Sequence, residues 1–195
     1  SNAADLVAAM TRTGAFRLDA ASLDAAILMT LTPGRYTAIV EGAGGGIALA
    51  EVYDASENPH GESQRLLNIS TRAFVGSGDS ALIGGFYVAG NAPKRVLVRG
   101  IGPRLADYQV GNALPNPRLT IFKDNKPIAE NDDWGSGPNT AQEVAAAATA
   151  TGAFSLRADS KDAALLITLA PGAYTAHVTA ADGTGIALVE VYELP

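Results

Sequence analysis

The 195-residue chain has no cysteine, only two histidines and a single tryptophan. Without cysteine there is no disulfide framework, no thiolate metal ligand and no thiol nucleophile. That absence is compatible with an exported bacterial protein. No apolar run is long enough to span a bilayer, so membrane insertion is not expected. A basic surface is missing as well: 14 Lys and Arg stand against 20 Asp and Glu, a net charge of −6. A nucleic-acid partner needs the opposite balance. Ser1-Asn2-Ala3 is read as the remnant of a cleaved purification tag and is set aside. The lack of a leader peptide therefore carries no weight.

What the chain does have is a core-forming composition, 47% apolar, and a long internal repeat. "TGAFRLDAASLDAAILMTLTPGRYTAIV" begins at Thr13, and "TGAFSLRADSKDAALLITLAPGAYTAHV" begins at Thr151. The offset is 151 − 13 = 138, and about two-thirds of the positions are identical. After one inserted residue the match resumes, "GIALAEVYD" from Gly46 against "GIALVEVYE" from Gly185. Residues from about Arg65 to Trp134 have no second copy. The simplest organisation is a tandem array with a period near 138. Residues 4–54 are then the back half of one repeat, 55–64 a polar linker, and 65–195 a complete repeat.

Each repeated half reads as a short helix followed by three strands. Thr140 and Glu143 have capping-box spacing, and Gly152 suits a helix stop. Leu6 and Met10, four apart, share one helical face. Strands are expected near 25–31, 35–41 and 46–53, and near 163–169, 173–179 and 185–193, as a three-stranded meander. Pro33-Gly34 and Pro171-Gly172 are turn dipeptides. The unique segment adds five strand-like runs, "RLLNISTRAFV", "ALIGGFYVAG", "KRVLVRGIG", "RLTIFKD" and "KPIAEND", with Asp124-Asn125 as a hairpin signal. Five plus three gives about eight strands per unit. The expected class is all-β, an antiparallel two-sheet sandwich (jelly-roll or immunoglobulin-like) with one short helix per repeat. A lone meander with one apolar face does not hold in water. Ile27, Met29, Tyr36, Val40, Leu49 and Val52 therefore need a cover: the unique segment of this chain, a neighbouring molecule, or one body in which both meanders flank the unique segment, with packing within the chain favoured.

The run from "RLLNISTRAFV" through "LTIFKDNKPIAENDDWG" to "LAPGAYTAHV" and "GIALVEVYEL" resembles tandem repeats near the C-termini of very large exported bacterial proteins. Such repeats often sit beside immunoglobulin-like domains. The back half is also similar to the bacterial pre-peptidase C-terminal domain, a small β-sandwich. The resemblance covers residues 65–195 in full and 4–54 in part, and it transfers no catalytic residue. It implies a non-enzymatic extracellular module, secreted or on the cell surface in association with the outer membrane. Its partners would be other repeats of the same chain, or protein or glycan ligands.

Chemistry-bearing residues are few. "ENDDWGSG" places Glu130, Asn131, Asp132 and Asp133 together, four oxygen-bearing side chains of the kind calcium takes. The spacing is not that of an EF-hand, and a solvated turn is the alternative. Trp134 would stack on a sugar ring if exposed, or plug the core edge beside the helix. No cofactor other than calcium is implied. His177 aligns with Ile39, so that position accepts an aliphatic residue, and His60 falls in the linker. "VGSGDS" has the composition of a nucleophile elbow without the helix that should follow. The glycine clusters at 42–46 and 182–185 read as hairpin loops rather than phosphate cradles. Arg95, Arg99 and Arg104 are expected to form ion pairs on a sheet face. Asp24 and Asp162, with Ser22 and Ser160, should tie down the loop before a strand. Tyr36 and Tyr174 should bond back to the loop backbone as corner tyrosines.

Overall fold

A computed structural model of the chain describes residues 2–44, 46–56, 68–78 and 80–195. The chain divides into two compact units, Ser1–Leu66 and Leu67–Pro195.

The second unit holds eight strands: β1 (Asn68–Val75), β2 (Leu82–Val88), β3 (Lys94–Ile101), β4 (Asn116–Lys123), β5 (Lys126–Asn131), β6 (Ala163–Leu169), β7 (Gly172–Asp182) and β8 (Gly185–Glu193). They form two four-stranded antiparallel sheets, ordered β1-β8-β3-β6 and β2-β7-β4-β5. Consecutive strands alternate between sheets except across the β4–β5 hairpin, which is the winding of a jelly roll. Of the two sandwich types expected, the strand order selects this one. The β4–β5 turn is carried by Asp124 and Asn125 with φ of 50° and 60°, left-handed at both central positions.

The strand order corrects the expected meander. β6 pairs only with β3, β7 pairs with β2 and β4, and β8 pairs with β1 and β3. None of the three repeated strands is hydrogen-bonded to another. The link through Gly183 therefore arches from one sheet to the other and is not a hairpin loop. Turn chemistry and alternation placed the strand boundaries, but they carry no information about which distant strand is the neighbour.

Between the sheets lies a core that includes Val98, Leu119, Ile121, Leu165, Val178 and Val189. β3 is buried on both faces along Val96–Ile101. Its inner face meets the core; Leu97 on its outer face packs under helix α2 (Ala141–Thr151) with Trp134, Val144 and Ala148. Alanines along α2 let it approach the sheet closely. Its N-terminus has the expected capping box: the Thr140 side chain accepts from Glu143 N, and Glu143 accepts from Thr140 N at 2.9 Å. Gly152 ends it with φ of 72°, left-handed.

In the first unit, helix α1 (Ala3–Thr13) is capped by Asn2 and Asp5 and ends at Gly14. The same 138-residue offset relates it to α2. Among the described residues from 14 to 56 no strand forms. The expected strands at 25–31, 35–41 and 46–53 are absent there, and Ile27, Met29, Tyr36, Val40, Leu49 and Val52 are exposed rather than packed. The physical reason is the topology of the second unit. Each of these segments needs partners of the β1–β4 type, and the described residues of this unit include none.

Candidate functional site

Polar groups converge at one place in the second unit, where α2 covers the sheet that contains β3 and β8. The register sets Arg99 opposite Glu190, and both side chains are buried. Arg99 Nε donates to Glu190 Oε2 at 2.9 Å, its Nη2 reaches the same oxygen, and its Nη1 donates to the carbonyl of Phe154 at 2.5 Å. The guanidinium lies 4.2 Å from the Phe154 ring centroid and 5.6 Å from that of Tyr192. Tyr192 donates to Glu190 Oε1 at 2.8 Å. Burial, followed by the Glu190 charge, pushes the Tyr192 phenol well above its ordinary range. Both carboxylate oxygens and the guanidinium are thus engaged with partners from β3, β8 and the loop after α2. A cavity of about 110 Å³ remains beside them, lined by Arg99, Trp134, Val144, Ala148 and Leu156 among others.

A second knot forms at Asp162, which is fully buried. Its Oδ1 accepts from Gly102 N at 2.8 Å and Arg104 N at 3.3 Å, and its Oδ2 accepts from Ser160 Oγ at 2.7 Å. Its carbonyl accepts from Trp134 N at 2.8 Å. The loop-tying role expected of Asp162 and Ser160 is observed. In the first unit Asp24 N bonds only to Ser22 Oγ, at 3.3 Å.

The four residues proposed from sequence for calcium are dispersed in their roles. Asn131 is buried, with Oδ1 accepting from Ala164 N at 2.9 Å and Nδ2 donating to Asp133 O at 3.0 Å. Glu130 and Asp132 face Arg118 at 3.8 and 3.4 Å. Asp133 supplies its carbonyl to Ser136 N, while Oδ1 of Asp132 and Oδ1 of Asp133 are buried without a hydrogen-bond partner. Among the described residues, no three His, Cys, Asp or Glu side chains gather as a metal cluster. Trp134 is 5% exposed and donates Nε1 to Arg157 O at 2.8 Å. The plug beside the helix is what forms, and the ring offers no open face to a sugar.

The remaining residues singled out from sequence are also placed. Tyr174 donates to Ala170 O at 2.8 Å and Tyr36 to Thr32 O at 2.8 Å, so both corner tyrosines form. Arg99 is ion-paired as expected; Arg104 pairs with Asp107, which also takes Arg157. His177 lies 3.0 Å from Thr175 Oγ1 and its ring is 4.4 Å from that of Phe122. Burial lowers its pKa. Strand β2 follows the Ser77 loop, not a helix. His60 lies outside the described residues.

Sequence reasoning missed Asn139. Its Oδ1 accepts from Leu166 N at 2.8 Å and its Nδ2 donates to Leu166 O at 3.0 Å. With Asn131 on Ala164 N, two asparagine side chains occupy alternate backbone groups along the open edge of β6. They take the place of a neighbouring strand. Only the position of Asn139, immediately before the Thr140 cap, offered a signal.

No protein-family model and no curated protein matches the chain. Among solved structures, the pre-peptidase C-terminal domain of a collagenase from Bacillus anthracis is similar over 64% of this chain and 89% of that one, with 16% identity and a TM-score of 0.38. The fold assigned above rests on the strand pairings, not on this likeness.

Proposed function

We propose that this chain is a non-catalytic structural or interaction module of a large secreted or cell-surface bacterial protein. One observation carries the reading. The buried ionisable groups are all engaged within the sandwich: Arg99 with Glu190 and Phe154 O, Glu190 with Arg99 and Tyr192, and Asp162 with Gly102 N, Arg104 N and Ser160. They work as cross-ties, and a reaction centre would leave such groups aimed at a cleft. The internal repeat supports an array of such modules, and the sequence resemblance supports an exported parent. Antibody raised against the sandwich should label intact source cells or their culture supernatant. Signal confined to lysates would overturn the exported placement.

A second reading, an accessory domain binding calcium or carbohydrate on an exported enzyme, is favoured in its calcium form by the two partnerless aspartate oxygens, Asp132 Oδ1 and Asp133 Oδ1. A hard cation collects several oxygens and binds the folded state alone, which raises the melting temperature. Under the structural reading the melting midpoint is the same in millimolar calcium and in chelator. A rise that Asp133→Asn abolishes would favour the accessory-domain reading.

A further inference from the structure

We propose that residues 14–54 are a strand-donor surface, able to take the place of β6–β8 on the five-strand half, residues 68–131, of a second copy of this chain. This goes beyond the structural-module reading by naming the surface and its partner. The second unit shows what such residues do when partnered: β6, β7 and β8 take all their strand pairings from β1, β2, β3 and β4. The first copy presents the same apolar set without a cover. Ile27, Tyr36 and Val40 are 83%, 56% and 61% exposed, whereas their counterparts Leu165, Tyr174 and Val178 are 1%, 4% and 0% exposed.

The groups that fasten the back half are retained as well. Asp24 stands where Asp162 accepts from Gly102 N and Arg104 N, and Ser22 where Ser160 Oγ donates to Asp162. Phe16 stands where Phe154 meets Arg99, and Glu51 where Glu190 does. Tyr53 donates to Glu51 Oε1 at 2.9 Å, the same bond that Tyr192 makes to Glu190 at 2.8 Å. The phenol–carboxylate bond of the Arg99 receptor is thus already formed in the first copy. Main-chain pairing would supply affinity, and the Glu51–Arg99 match would supply register.

The test uses full-length chains. The acceptor carries Leu165→Asp and Val189→Asp to disable its resident back half, with Ile27→Asp and Val40→Asp to block closure by its own first copy. The acceptor is refolded from urea with wild-type chain or with a control donor bearing only Ile27→Asp and Val40→Asp. We expect a 1:1 complex at twice the chain mass with wild type and none with the control. No complex with wild type, or complexes with both, overturns the proposal. A second measurement does not depend on complex yield. Arg72 pairs with Leu188 in the β1–β8 register, and Leu49 is the counterpart of Leu188. In a chain without native cysteine, Leu49→Cys in the donor and Arg72→Cys in the acceptor should form an intermolecular disulfide. Its absence, when Arg72→Cys with Leu188→Cys in one chain does cross-link, overturns the proposal.

Discussion

Arg99 is the residue on which the outer face of the β3 sheet turns. Removing it strands Glu190, a carboxylate already out of water. Arg99→Ala should cost the sandwich about 3–5 kcal/mol in urea unfolding. Arg99→Met combined with Glu190→Leu should recover most of that, because no charge is left unpaired. Asp162→Ala leaves Gly102 N and Arg104 N without their acceptor and should cost about 1–3 kcal/mol. Asp24→Ala, its counterpart, should not shift the same transition. His177 gives a pH-dependent case. Its folded pKa lies below the ordinary value because burial disfavours the imidazolium. Well above pH 6.5 both states are neutral and stability is complete; as pH falls through about 6.5 the unfolded chain takes the proton first and stability declines. His177→Ile, the residue of the first copy, should remove that part of the decline in melts compared at pH 7.5 and 5.

At the scale of the element, the open edge of β6 is the feature most exposed to failure. Asn139→Ala frees both backbone groups of Leu166, and adding Asn131→Ala frees Ala164 N as well. The double variant should lose stability and self-associate through that edge, with light scattering rising before the melt. Strands and caps like these were legible because their causes are local. Alternation located β7 and β8, Asp124-Asn125 located a hairpin, and Thr140 with Glu143 located a helix start. Neighbour identity was not legible, since no local signal says that β6 lies beside β3 and not β7. For the same reason, Glu130, Asn131, Asp132 and Asp133 looked like one oxygen cluster. Only the fold shows Asn131 turned to a strand edge and Asp132 to Arg118. Arg99 was expected to pair, yet its partner lies 91 residues along the chain, beyond any motif.

At the scale of the whole molecule, one sequence motif occurs twice, and only its second copy is paired with β1–β4. The consequence is an asymmetry in what each copy can do alone. All eight strands and every pairing between them fall within residues 68–193. A chain cut to residues 67–195 should therefore fold to the same sandwich, with one cooperative melt and a β-type circular dichroism spectrum. A chain cut to residues 1–66 should show helix from α1 and no strand signal, however well its sequence matches the folded copy. The same difference should appear in limited proteolysis of the intact chain. Cleavage within residues 14–56, where backbone groups have no strand ladder, should precede cleavage anywhere in β1–β8, leaving a resistant fragment near the size of the second unit. Mass spectrometry of the early fragments decides the matter. First cuts inside β6–β8 would mean that pairing with β1–β4 does not protect the second copy.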